Sequence, residues 1–167
     1  MSLRQLVAPG FASQVQAVLA ELDVDPSRLC LEVTETVLAG DVRPVIDVLH
    51  ALRDPGIHLS IDDFGAGHAS LTYLAQFPVD QVKVDQSFVA GLSMDAGSGA
   101  IVGGVIAMAH TFDLRVIAEG VETEAQLVAL RELGCAAVRG FVLARPLEPA
   151  DPRDLLNRLS APGPGPP

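Results

Sequence analysis

Tryptophan is absent from the 167 residues, tyrosine occurs once, and aromatic residues make up only 4% of the chain. An interior with so few rings has to be closed by aliphatic side chains, and 49% of the residues are hydrophobic, enough for one domain with a real core. Lysine occurs once, as Lys83, beside ten arginines, and 21 acids leave a net charge of −10. That balance argues against a nucleic-acid or anionic-membrane surface, because phosphate binding draws on clustered Lys and Arg. An anionic ligand fits only where metal ions or local cations reverse the field. Cysteine is sparse too. Cys30 and Cys135 lie on separate apolar segments and read as two buried thiols in a reducing compartment, not as a disulfide framework. No Cys/His spacing suits zinc, and the four histidines are scattered. No apolar run reaches membrane-spanning length; the longest, residues 101–109, is broken by Gly103 and Gly104. The opening MSLRQL lacks a charged-then-apolar leader pattern, so the expected location is cytoplasmic.

What is present is alternation. Apolar, β-branched segments at residues 29–33, 57–61, 81–84, 114–118 and 136–141 have strand character. Helical spacing lies between them: Val45, Leu49 and Leu52; Ile101, Val105, Met108 and Phe112; Leu127 and Leu130. An earlier helix, with Val15, Val18 and Leu22 on its expected buried side, precedes the first strand. Punctuation agrees, with Pro55-Gly56 after the second helix, a capping box from Thr123 to Gln126, and Gly134 at a helix stop. This pace implies right-handed crossovers and a parallel sheet of about five βα units. No strand is followed by a dinucleotide-type glycine fingerprint. Residues 161–167, Ala-Pro-Gly-Pro-Gly-Pro-Pro, suit neither helix nor sheet and are expected to be a disordered tail behind a domain of residues 1–160.

The acids fall where the strands end. Glu32 lies in the first strand with Glu35 just beyond, Asp62 and Asp63 close the second, Lys83 and Asp85 the third, and Glu119 and Glu122 the fourth. In a parallel barrel all of them reach the C-terminal rim, where catalytic residues gather. Any one acid has a plainer reading as a turn or helix cap, and Lys83 as a snorkelling surface residue. Four successive strands sending acids to one end, with the only lysine among them, is harder to explain that way. Crowding like charges costs free energy unless cations offset them, and oxygen donors at this density suit Mg2+ or Mn2+. Residue chemistry alone reaches metal-assisted phosphoryl hydrolysis, or another carboxylate–metal barrel enzyme.

The strings LEVTET, IDDFGAGHASLTYL, FPVDQVKVDQSFV, VIAEGVETEAQL and GFVLARPL, in this order, resemble the EAL-domain family over residues 2–156. The resemblance implies an incomplete TIM-type (β/α)8 barrel, and a domain that hydrolyses cyclic di-GMP to linear pGpG with Mg2+ or Mn2+. It implies metal binding by Glu32, Asp62 and Asp63. It gives Lys83 the positioning of the attacking water, Glu119 the part of general base, and Glu35 the anchoring of the loop after the DDFG strand. Glu122 falls on a further polar position of the substrate site. The family's E-A-L strand and its Asn-containing motif, each the source of a metal ligand, have no counterpart in this sequence, and neither do about three strands. Ala66 and His68 stand where Thr and Tyr are common, with His68 read as a surface or dimer-loop residue. Arg139 replaces a Gln and Phe141 a Tyr; Arg139 is expected either to contact a substrate phosphate or to be a solvated rim residue. A homodimer is expected through residues 66–74 or through exposed sheet edges. Three functions stay open: a phosphodiesterase domain, a non-catalytic cyclic di-GMP-binding or protein-interaction module, and an inactive remnant.

Overall fold

The computed structural model of the chain describes residues 1–35, 37, 43–65, 74–92 and 96–145. The expected tail, His68 and residues 66–73 of the expected dimer loop lie outside the described residues. Helices α1 (Leu3–Leu6) and α2 (Phe11–Glu21) lead through a 3-10 turn at Pro26–Arg28 into β1 (Cys30–Thr34). Then come α3 (Arg43–Arg53), β2 (His58–Phe64), β3 (Gln81–Val84), α4 (Gln86–Gly91), α5 (Ala96–Thr111), β4 (Arg115–Ala118), α6 (Glu124–Glu132) and β5 (Ala137–Val138). The strands form one sheet in the order β1-β2-β3-β4-β5, with every neighbouring pair parallel. This is the α/β architecture of an incomplete barrel: with β1 and β5 as its edges, the described sheet does not close. Among the described residues no helix is long and apolar enough to cross a membrane.

Side chains alternate across each strand, and the two faces of the sheet differ in chemistry. Val33, Leu59, Ile61, Val82, Val84, Val116 and Ala118 are at most 1% exposed and form the face against the helices. Each such aliphatic burial contributes about 1.5–3 kcal/mol, which fixes strand register strongly. The opposite, concave face carries Cys30, Glu32, Ser60, Asp62, Gln81, Lys83 and Arg115, polar at nearly every position. Cys30 on this face is exposed, because an open sheet leaves the start of β1 uncovered, and Cys135, ahead of β5, is only half-buried against the core, so the expectation of two buried thiols is corrected.

Two helix faces also differ from expectation. In α5 the buried stripe is Val102, Ile106 and Ala109, whereas Ile101 and Phe112 stay 46% and 39% exposed. In α2 Leu19 is buried with Phe11, Ala12 and Val15 packed alongside, and Val18 and Leu22 face outward. Both helices carry apolar residues on adjacent stripes, so periodicity could not choose between them. Other punctuation is as expected. Thr123 and Gln126 form the capping box of α6, and Gly56 and Gly134 take the left-handed backbone at φ +105° and +79° that ends a helix.

The first residue already lies along the free edge of β1. The carbonyl of Met1 accepts from Thr34 N at 3.4 Å, and its amino group donates to the Glu32 carbonyl. This is a single rung of parallel pairing.

Candidate active site

Lys83 is the hub. It rises from the middle of β3, is 4% exposed, and its Nζ donates to carboxylates delivered by three other strands. Glu32 Oε1 from β1 is at 2.8 Å, Asp62 Oδ1 from β2 at 2.8 Å, and Glu119 Oε1, just past β4, at 2.9 Å. An ammonium has three hydrogens, so this set engages all of them. Burial pulls the Lys83 pKa down, but the hydrogen bonds to Asp62, Glu32 and Glu119 more than reverse that, leaving it above the ordinary lysine value. The group stays charged.

Asp63 joins the acids through a backbone irregularity. Pairing of β2 with β3 slips between Ile61 and Phe64, and Asp63 sits there in the left-handed region at φ +55°. In a regular strand Asp62 and Asp63 point to opposite faces; a bulge re-aims the second. Asp63 is exposed, and desolvation followed by the charges of Asp62, Asp85 and Glu119 raises its pKa. Asp85 itself is a helix cap, its Oδ1 accepting from Ser87 N at 2.8 Å at the start of α4. Glu35, 5% exposed, accepts from Gly65 N at 3.0 Å and so ties the end of β1 to the turn leaving β2.

The far wall is set by two glycines. An added Cβ at Gly120, whose φ is +69°, comes within 2.6 Å of the Gln86 Cβ, so only glycine lets the loop after β4 approach α4. Gly140 approaches the Val121 backbone still more closely. Pairing continues past β5, from Arg139 N to Ala118 O at 2.8 Å, from Val121 N to Arg139 O at 3.1 Å and from Val142 N to Val121 O at 3.0 Å. This accounts for the strand character read over residues 136–141. A cavity of about 280 Å3 results, lined by Lys83, Gln86, Glu119, Glu122, Arg139 and Phe141 among others. Arg139 reaches Glu119 Oε1 at 3.4 Å with its side chain 73% exposed, leaving the guanidinium available at the rim. Glu122 is exposed on the same rim. Gln86 was not singled out from the sequence; its place directly after the Val84-Asp85 strand end was the available signal.

The eight residues expected at the site thus separate by position. Glu32, Asp62, Lys83 and Glu119 make direct contact, Asp63 lies within their field, Glu122 and Arg139 line the adjoining cavity, and Glu35 stands behind as a brace. A larger concavity of about 740 Å3 lies at the opposite ends of the strands, lined by Cys30, His58, Gln81 and Arg115 among others. Sites in parallel α/β sheets lie at the C-terminal strand ends, so the smaller cavity beside the acids is the better candidate.

Glu32, Asp62, Asp63 and Glu119 offer hard oxygen donors in a net negative cluster, the chemistry that suits Mg2+, Mn2+ or Ca2+. Among the described residues no three Asp, Glu, His or Cys side chains already surround a common metal position. The acids converge on the ammonium instead. Their oxygen donors suit a divalent ion by type.

Comparison with known proteins shows the family and the fold. The EAL domain family matches residues 1–146. The bifunctional diguanylate cyclase/cyclic di-GMP phosphodiesterase MucR of Pseudomonas aeruginosa is 40% identical over 147 residues, covering 88% of this chain and 22% of that protein. The chain therefore spans under a quarter of that relative's length. The EAL domain of Mycobacterium smegmatis DcpA superposes with a TM-score of 0.88 at 39% identity, over 95% of this chain and 71% of that one. A Klebsiella pneumoniae BlrP1 complex with manganese and cyclic di-GMP superposes at 0.77 with 33% identity, over 85% of this chain and 36% of that one. Matched over most of its length in sequence and fold alike, the chain belongs to the EAL domain family.

Proposed function

We infer that the chain carries the acidic half of a metal-dependent cyclic di-GMP phosphodiesterase site that yields linear pGpG. The observation that carries this reading is the meeting of Glu32, Asp62 and Glu119, from three separate strands, within 2.9 Å of one buried ammonium. Glu32, Asp62 and Asp63 are the proposed ligands for Mg2+ or Mn2+. A bound divalent ion supplies neutralising charge for the phosphodiester and acidifies water.

The remaining steps belong to side chains. Glu119, at the cavity wall, takes the proton of the attacking water. The water oxygen bonds to phosphorus, the P–O3′ bond breaks, and the leaving 3′ oxygen takes up a proton from solvent, to which Glu119 returns the one it accepted. Lys83 fixes the position of Glu119 and adds positive charge where negative charge develops. Arg139 is proposed to hold a phosphoryl oxygen at the rim, with Glu122 as a polar contact to substrate. Glu35 fixes the turn at Gly65, and with it the direction in which Asp62 and Asp63 leave β2.

The open edge of β1 favours a related proposal. Residues 1–160 are proposed to form a partial barrel domain that lacks the opening strands, and the Met1 rung along the edge of β1 supports that reading. The opening strands are proposed to bring further ligands, so the isolated chain is expected to turn over only very slowly. Incubation with cyclic di-GMP and Mg2+ or Mn2+, followed by chromatography for pGpG, tests this. Turnover abolished by Glu32→Ala or Asp62→Ala supports the enzyme. Binding without turnover supports a non-catalytic module. Neither binding nor turnover refutes both readings for the chain alone.

A further inference from the structure

The exposure of the cluster is graded in a way its activity does not require. The Lys83 side chain is 5% exposed, whereas those of Glu32, Asp62 and Glu119 keep 41%, 22% and 22%. The ammonium is the buried floor, and the carboxylates are the rim that solvent reaches. All three ammonium hydrogens are engaged. Arg139, at 3.4 Å from Glu119 and 73% exposed, is no substitute for it.

A divalent ion that reaches Glu32 and Asp62 comes from the rim side. It either shares their oxygens with Lys83, setting like charges a few ångströms apart, or draws them away and leaves a buried ammonium short of partners. Both routes cost free energy. We propose that Lys83 is a resident counter-cation that holds the acid cluster together and competes with divalent ions for Glu32 and Asp62, so that the site exchanges folded stability for metal affinity. The inference rests on the reading that these acids take a divalent ion. It gives Lys83 a part in ion binding separate from any part in the chemical step.

The test compares the full chain with Lys83→Met and Lys83→Gln, following thermal melting in EDTA and in Mn2+, and Mn2+ binding by the free-ion EPR signal. Both variants are expected to melt lower in EDTA and to gain more from Mn2+ than wild type. They should bind Mn2+ at least about tenfold more tightly. Variants that fold only when Mn2+ is present also support the proposal. Wild type binding Mn2+ while both variants bind equally or more weakly, or stay unfolded in Mn2+, overturns it and leaves the metal reading intact. Failure of all three proteins to bind Mn2+ overturns the metal reading itself.

Discussion

Replacing Gly140 by alanine probes how the cavity wall is built. Its added Cβ falls 2.1 Å from the Val121 oxygen, 2.4 Å from its nitrogen and 2.7 Å from its carbonyl carbon, all backbone atoms with no rotamer to yield. The two segments have to separate by roughly 1 Å to restore ordinary contact. They are tied at Val121 N–Arg139 O, 3.1 Å, and Val142 N–Val121 O, 3.0 Å, so separation weakens both rungs. Two backbone hydrogen bonds at about 1 kcal/mol each, plus about 1–3 kcal/mol of overpacking, give a loss of about 3–5 kcal/mol. In a domain of this size that lowers Tm by about 10 °C. Circular dichroism melting of Gly140→Ala checks the figure, and a Tm within about 1 °C of wild type refutes the reasoning. The same shift carries Arg139 away from Glu119, so substrate affinity should fall with stability.

Asp63→Asn should stabilise the fold near neutral pH. The Asp63 pKa is raised in the folded chain, so its charged form burdens the native state above that pKa, and the burden disappears once pH falls below the unfolded value of 3.8. Urea midpoints of the variant and wild type should therefore converge as the medium is acidified; a difference independent of pH would contradict this. Asp85→Ala removes the α4 cap seen at Ser87 and should cost about 1 kcal/mol, read as a lower urea midpoint with an unchanged m-value. Glu35→Ala strands the Gly65 N–H and should cost about 1–3 kcal/mol, with metal affinity falling more than in Asp85→Ala because the exit from β2 loosens.

Much of this was legible in the chain. The bounds of β3 agree residue for residue, and the alternation of apolar strands with helical spacing correctly implied a parallel sheet. Acids at strand ends predicted convergence, because a parallel sheet has only one C-terminal rim. What stayed hidden depends on non-local geometry. Nothing in VKVDQS says that Lys83 turns inward under three carboxylates instead of snorkelling outward; only the register of β1, β2 and β4 beside it decides that. The bulge at Asp63 leaves no mark in SIDDFG, and the left-handed backbone there follows from the slipped pairing with β3. β5 is only two residues long because the rest of its apparent strand pairs irregularly with the loop around Val121. The outward faces of α2 and α5 were misread because apolar residues on neighbouring stripes leave a helix free to rotate without losing burial.

The most direct test is where manganese binds. Crystals of the chain soaked in Mn2+ and measured at the manganese absorption edge should show an anomalous peak bounded by the carboxylates of Glu32 and Asp62, and that peak should vanish in Asp62→Ala. A peak at the opposite ends of the strands, or density at the acids that survives the substitution, would contradict the account.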